Sequence, residues 1–517
     1  MRTEKKAAVQ NGVARLVLTV AIIALEFYLL YAVFVKLYTA FAWIHTCVRI
    51  ASLIVSIIIF GERRNAGIKM PWIFLILLFP EFGLLLYALG GRINVTKRMR
   101  KRYAAIDKLL YPMMAQDAAV ADQLRDTEPA LANICHYVRH CGPYPVYDNT
   151  AVQFFDLADK ALDAMKDDLR RAKHFIFMEY FAIEDAEAFA GIYHILRQKV
   201  KEGVEVRLFY DDIGSIGFIN QSFIKRMASD GIQCRDFNPV IPLLNVFMNN
   251  RDHRKFTVID GKVAYSGGYN LANEYFNITH PYGYWKDTGV RLEGSAVRSF
   301  TLMFFEMWNA VKHTDAPDEI DMKYFAPWEK IEGAEGYVQP YADSPLDFEH
   351  VGEDVYLNLI KHAKHYFYLT TPYLIITDEM TRELGLAAKR GVDVRIITPG
   401  VPDKPLVYAL TRSYYSQLVQ NGVRIFEYQP GFIHAKQCIC DGEAATVGTI
   451  NLDYRSLYLH FECGVQLIKV PAIQNILADF NHTFTLCYEV TQTYQREHLS
   501  LFRQFIQSFL RLFAPLL

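Results

Sequence analysis

The sequence predicts an α/β protein. Two homologous lobes, each a mixed sheet flanked by helices, are expected to form one active site behind an N-terminal transmembrane helical region. Three observations predict this. Long apolar runs crowd the first ninety residues, and from about Pro143 short apolar strands alternate with amphipathic helices. The second part of the chain also repeats itself. The expected layout is a membrane region over 1–92 and a basic juxtamembrane linker and helix over 93–142. Lobe 1 follows over 143–325, and lobe 2 over 335–517 ends in an amphipathic helix.

Composition narrows the function classes. A length of 517 residues calls for two or three domains, and a formal net charge of −1 offers no global basic field for nucleic acid. The eight cysteines form no CxxC pair or regular framework, which suits reduced thiols on a cytosolic face.

Leu16 to Val35 is a 20-residue apolar run interrupted by Glu26, long enough to cross a bilayer. Leu37 to Phe60 is a second run, weakened by Arg49. Pro71 to Leu89 is a third, with Pro80, Glu81 and Gly83 near its middle; Pro80 interrupts its helix and favours a re-entrant hairpin. No small-residue cleavage site follows the first run, so a removable leader is not expected. Arg92 to Tyr103 carries six basic and no acidic residues, which places the following lobes on the cytoplasmic side.

The repeat runs through both lobes. Ala172-Lys173-His174-Phe175 corresponds to Ala363-Lys364-His365-Tyr366, and Gly203-Val204-Glu205-Val206-Arg207 to Gly391-Val392-Asp393-Val394-Arg395. Trp285-Lys286-Asp287 corresponds to His460-Phe461-Glu462. At the C-terminus, Phe502, Phe505, Ile506, Phe509, Leu512 and Phe513 share one helical face, for packing on lobe 2 or for the lipid interface.

The chemistry lies in a pattern written twice. His253-x-Lys255 leads to Asp260 and Asn270; His434-x-Lys436 leads to Asp441 and Asn451. In a strand, residues i and i+2 face the same way, so each pair presents an imidazole and an ammonium together. One imidazole can attack phosphorus while the other protonates the departing alkoxide. Lys255, Lys436, Asn270 and Asn451 would hold the non-bridging oxygens. Asp287 and Glu462, at matching places in the repeat, are candidates for the carboxylate that fixes each imidazole tautomer, and are grouped with Asn270 and Asn451 as substrate-binding residues. Asp260 and Asp441 are grouped with the catalytic residues, although their strand-to-turn positions suit a structural role as well. Cys135, His136, His140 and Cys141 fit an ordinary helix better than a zinc site, and no metal or other cofactor is expected.

At these residues the chain resembles the phospholipase D superfamily, and within it the bacterial cardiolipin synthases. Asp211-Asp212-Ile213-Gly214-Ser215, Asn250 to Lys255, Gly431 to Lys436 and Asn451 to Ser456 carry the closer resemblance, with the membrane stretch Trp72 to Gly91. It extends from about residue 48 to the end. His460 departs from it, standing where that family usually has Asn. The resemblance implies two phospholipase D-like lobes in a bacterial cell membrane, anchored by several passes. It implies transfer of a phosphatidyl group from one phosphatidylglycerol to another, giving cardiolipin and glycerol. His253 as nucleophile and His434 as acid and base follow from the resemblance; the symmetry of the motifs does not choose between them. Alternatives are a hydrolase using water, a transferase using another alcohol, and a membrane-tethered nucleic-acid-binding module, which the near-neutral charge disfavours. Homo-oligomerisation is left open.

Overall fold

A computed structural model describes residues 42–91, 97–220, 222–239, 249–311, 322–325, 329–347 and 349–496, with scattered positions in 14–32 and 507–514. The Leu16–Val35 run and the C-terminal amphipathic segment lie largely outside the described residues.

Lobe 1 is a seven-stranded sheet. Its strands are β1 (Thr150–Phe155), β2 (Phe175–Tyr180), β3 (Glu205–Asp211), β4 (Gln233–Phe237), β6 (Lys255–Ile259), β7 (Val263–Gly267) and β8 (Gly289–Gly294), with the two-residue β5 (Arg251–Asp252) pairing elsewhere. The order is β1-β8-β7-β6-β2-β3-β4, with β2, β3 and β4 parallel and the remaining pairs antiparallel. Alternation along the strands explains its two covered faces. Phe175, Phe177 and Phe209 enter one core, whereas Ile176, Met178, Leu208 and Tyr210 enter another under the outer helices.

Lobe 2 repeats the plan. Its strands are β9 (Tyr337–Asp343), β10 (Tyr366–Thr370), β11 (Asp393–Pro399), β12 (Arg424–Tyr428), β13 (Gln437–Cys440), β14 (Ala444–Gly448), β15 (His460–Ile468) and β16 (Cys487–Glu489). From β9 through β15, β14, β13, β10, β11 and β12, each strand occupies the place of its lobe 1 counterpart; β16 adds an edge. The inner faces of both sheets share one core, into which the almost wholly buried helix Val297–Val311 packs.

The segment read as a juxtamembrane linker contains the helices Lys97–Leu110, Ala118–Thr127 and Pro129–Cys141. Tyr103, Ile106, Leu110, Leu124, Leu131 and Val138 join the shared core, so these helices belong to the body of the lobes. Ahead of them stands the helix Ala42–Phe60, whose Trp43–Phe60 stretch is, among the described residues, long and apolar enough to cross a membrane. Leu53, Ile54, Ile57, Ile58 and Phe60 are exposed, an apolar surface that water would penalise and lipid would accept.

The next apolar run is broken as Pro80 predicts. Helix Ala66–Leu78 stops at Phe79, and Pro80–Leu86 folds back along it. Gly83 lies so close to Ile76 that a Cβ there would come within 2.6 Å of the Ile76 Cα. Only a glycine permits that approach.

Candidate active site

The two halves exchange backbone as well as side chains. In lobe 1, β5 adds parallel to the start of β15 in lobe 2, and the His253 amide donates to the Phe461 carbonyl at 2.9 Å. In the other direction, the Lys286 amide donates to the Phe432 carbonyl at 3.0 Å and the His434 amide to the Lys286 carbonyl at 2.7 Å. Each histidine is thus hydrogen-bonded to the residue just before the other lobe's repeat-matched acid, Glu462 or Asp287.

The side chains follow that registration. Glu462 Oε1 lies 2.8 Å from His253 Nδ1, and Asp287 Oδ2 lies 2.6 Å from His434 Nδ1. A carboxylate can only accept, so each Nδ1 carries the proton and Nε2 keeps its lone pair. Lys436 Nζ also approaches His434 Nδ1, at 2.7 Å, but a protonated Nδ1 cannot accept from it. Lys436 therefore donates to the His434 carbonyl, as Lys255 does to the His253 carbonyl at 2.5 Å. The acids are supported in turn: Thr449 Oγ1 donates to Glu462 Oε2 at 2.5 Å, and the Thr288 amide donates to Asp287 Oδ1 at 2.9 Å. Asp287 and Glu462, grouped above as substrate-binding, are spent on the imidazoles.

Both histidines open on one cavity of about 610 Å³, whose wall includes Asn270, Tyr275, Trp285, Asn451, Arg455 and His460. His253 is 8% exposed and His434 6%. Burial governs their charge. It holds His253 well below its usual value, with Lys255 adding to the effect. It pushes His434 down to about 4, reinforced by Lys436 and opposed by Asp287. Lys255 is lowered to about 8 and Lys436 to about 7, again chiefly by burial. Burial acts on Glu462 in the opposite direction, raising it, while Lys255 and the Thr449 hydroxyl favour its charged form. Neutral imidazoles beside ammonium groups suit attack on an anionic phosphodiester, whose own charge would restore protons to the cations.

Asn270 is tied on both sides, accepting from the Ala182 amide at 3.1 Å and donating to the Tyr275 hydroxyl at 2.7 Å. Asn451 keeps a buried amide oxygen without a partner.

The motif aspartates go elsewhere. Asp260 accepts the amides of Lys173, His174 and Phe175, and Asp441 accepts those of Lys364, His365 and Tyr366, at 2.7–2.9 Å. Both stand at positive φ, 53° and 52°, at the end of β6 or β13 away from the histidine. Strand length carries them off, and these contacts favour the structural alternative over the catalytic grouping: each ties the start of β2 or β10 to its neighbour.

A supporting pair that the sequence did not single out is Asp211–Arg251. Arg251 Nε lies 3.0 and 2.9 Å from the two carboxylate oxygens of Asp211, which also accept the Asp252 and Gly214 amides. This buried clamp fixes the loop from which His253 projects. Its signal was present in Asp211 to Ser215 and Arg251, but pairing across 40 residues is a tertiary fact.

Residues 165–286 and 356–484 match the family described as "Cardiolipin synthase, PLD-like domain". A Streptococcus mutans protein named "Uncharacterized protein" is 42% identical over 87% of this chain and 96% of its own. "Cardiolipin synthase 2" of Bacillus anthracis is 32% identical over 90% of each chain. "Cardiolipin synthase" of Geobacillus thermodenitrificans is 31% identical over 90% of this chain and 91% of its own. Among solved structures, phosphatidylserine synthase of Haemophilus influenzae aligns with a TM-score of 0.55 at 15% identity, over 75% of this chain and 97% of that one. That likeness is one of fold.

Proposed function

The chain belongs to the cardiolipin synthase family of phospholipase D-type phosphatidyltransferases, and from this premise we propose how its residues make cardiolipin and glycerol from two molecules of phosphatidylglycerol. His253 Nε2 attacks the phosphorus of the first lipid. The bond to the glycerol oxygen breaks, and that oxygen takes a proton from His434. Glycerol leaves behind a phosphatidyl-histidine. A hydroxyl of the second phosphatidylglycerol then gives its proton to His434 while its oxygen attacks phosphorus, the P–N bond breaks, and cardiolipin departs. Lys255, Lys436 and Asn451 steady the non-bridging oxygens, and Asn270 holds the Tyr275 wall. One phosphodiester replaces another, so no nucleotide is consumed.

The observation that carries this reading is the shared cavity: two imidazoles from duplicated lobes, each with its Nδ1 held by the other lobe's acid. Mutual exchange of this kind leaves two Nε2 atoms for one phosphorus. His434, low in the resting site, becomes an acid once an anionic phosphate lies beside it.

We further infer several passes through a bacterial cell membrane with the lobes on the cytoplasmic side. The exposed apolar face of Ala42–Phe60, the folded-back hairpin over Ala66–Leu86 and the basic stretch from Arg92 support this arrangement. Protease protection in sealed vesicles tests it. For the reaction, purified protein is given vesicles of phosphatidylglycerol and the lipids are resolved by mass spectrometry. Cardiolipin with stoichiometric glycerol is expected; phosphatidic acid as the sole product overturns the synthase reaction.

A further inference from the structure

Joining two lipids creates a problem that the His-Lys pairs alone do not solve. The acceptor carries a second phosphodiester, three carbons away from the reacting one, and this anion must also enter the cavity. Lys255 and Lys436 are already committed to the first phosphate. Lys404, on the cavity wall, is engaged by Asp403 at 3.4 Å and by the Tyr373 hydroxyl at 2.9 Å.

Arg455 is different. It lines the cavity and is half-buried, yet its guanidinium has no hydrogen bond or ion pair among the described residues. Partial burial lowers its basicity, and Asp453 opposes this. Leaving a guanidinium half-dry and unpaired is costly unless a ligand completes it. Beside it on the same wall, His460 is 9% exposed, and its buried Nδ1 has no partner. The His460 ring packs 5.8 Å from that of His253, centroid to centroid, next to the reacting centre. An unpaired guanidinium and a neighbouring imidazole therefore line one cavity from one segment.

The duplication sharpens the point. Asn270-Leu271-Ala272-Asn273-Glu274 lies over Asn451-Leu452-Asp453-Tyr454-Arg455, so Glu274 is the lobe 1 counterpart of Arg455, and it lines the same cavity. Trp285 is likewise the counterpart of His460. One wall thus offers a guanidinium and an imidazole where the other offers a carboxylate and an indole. At these matched positions one side offers a cation and the other an acid, with Asp453 also on the wall beside Arg455.

We propose that Arg455 and His460 form a second phosphate subsite, which binds the phosphodiester of the acceptor lipid and selects an anionic lipid over small neutral acceptors. The proposal rests on the phosphatidyl-transfer reading above. Its test separates two fates of the phosphatidyl-enzyme. Full-length protein in phosphatidylglycerol vesicles receives labelled glycerol. Exchange of label into phosphatidylglycerol reports capture by a neutral acceptor, and cardiolipin reports capture by the anionic one.

In Arg455→Gln, the ratio of cardiolipin formation to glycerol exchange is expected to fall by about tenfold to a hundredfold, the range a charge-assisted hydrogen bond commands. Arg455→Lys should recover part of it. His460→Phe, which keeps an aromatic ring against His253, should shift the ratio the same way by a smaller factor. An unchanged ratio in Arg455→Gln overturns the subsite, whether both activities persist or both fall together. Wild-type protein that exchanges no glycerol and makes no cardiolipin overturns the underlying reaction instead.

Discussion

At the scale of residues, the imidazoles and their acids carry the sharpest predictions. His253→Ala and His434→Ala should each abolish cardiolipin formation, but only one of the two should still form a phosphoenzyme. Acid quench with lipid labelled at phosphorus reads this directly; label retained by both or by neither would contradict the division of labour. Asp287→Asn and Glu462→Gln keep shape but lose the charge that holds Nδ1–H, and should lower kcat by about 10²–10⁴ in folded protein.

The lysines predict a pH dependence. Each must be protonated to hold phosphate, and with values near 7 and 8 they discharge as pH rises. The alkaline limb of kcat/KM should therefore begin between about pH 7 and 8, and the limb of kcat should lie higher, because bound phosphate favours the ammonium form. For stability the sign is opposite. Between the folded values and the unfolded lysine value near 10.4 the unfolded chain holds more protons, so these two groups make stability rise with pH across that window.

At the scale of elements, Asp260 and Asp441 matter as fasteners. Three amides of a strand start depend on each carboxylate. Asp441→Ala should cost about 1–3 kcal/mol for the unpaired amides, read by denaturant titration, while turnover per folded molecule stays near that of the parent. A loss of turnover with unchanged stability would return Asp441 to the reaction. The same scale holds the apolar hairpin over Ala66–Leu86, where Gly83→Leu would drive a side chain into the Ile76 backbone and open the fold at Phe79.

At the scale of the whole molecule, the lobes are interlocked. Lys286, adjacent to Asp287, is a lobe 1 residue whose buried ammonium lies 2.6 Å from Asp479 in lobe 2. Replacing Asp479 by Asn leaves a buried cation uncompensated and should cost about 3–5 kcal/mol in thermal or denaturant unfolding. Because each histidine takes its backbone register and its acid from the opposite lobe, loosening this tie should also lower turnover.

Much of this was legible in order along the chain. The repeated spacing paired His253 with Lys255 and His434 with Lys436, although the strands begin only at Lys255 and Gln437, and the repeat matched Asp287 to Glu462. Pro80 marked the break in the third apolar run. The segment 93–142, read as a basic juxtamembrane linker and helix, carries three helices with buried faces, which a basic start such as Lys97-Arg98 masks in the sequence. Asp260 is close to His253 in sequence, yet the intervening strand carries it to the opposite end of β6.

The sequence by itself determined the duplicated strand plan, the His-Lys pairs and the apolar N-terminal region, since these are periodicities of neighbouring residues. Only the tertiary structure decided that the acids cross between lobes, that both rings share one cavity, and that Arg455 and His460 line it together. Those are relations between distant segments, and no spacing along the chain encodes them.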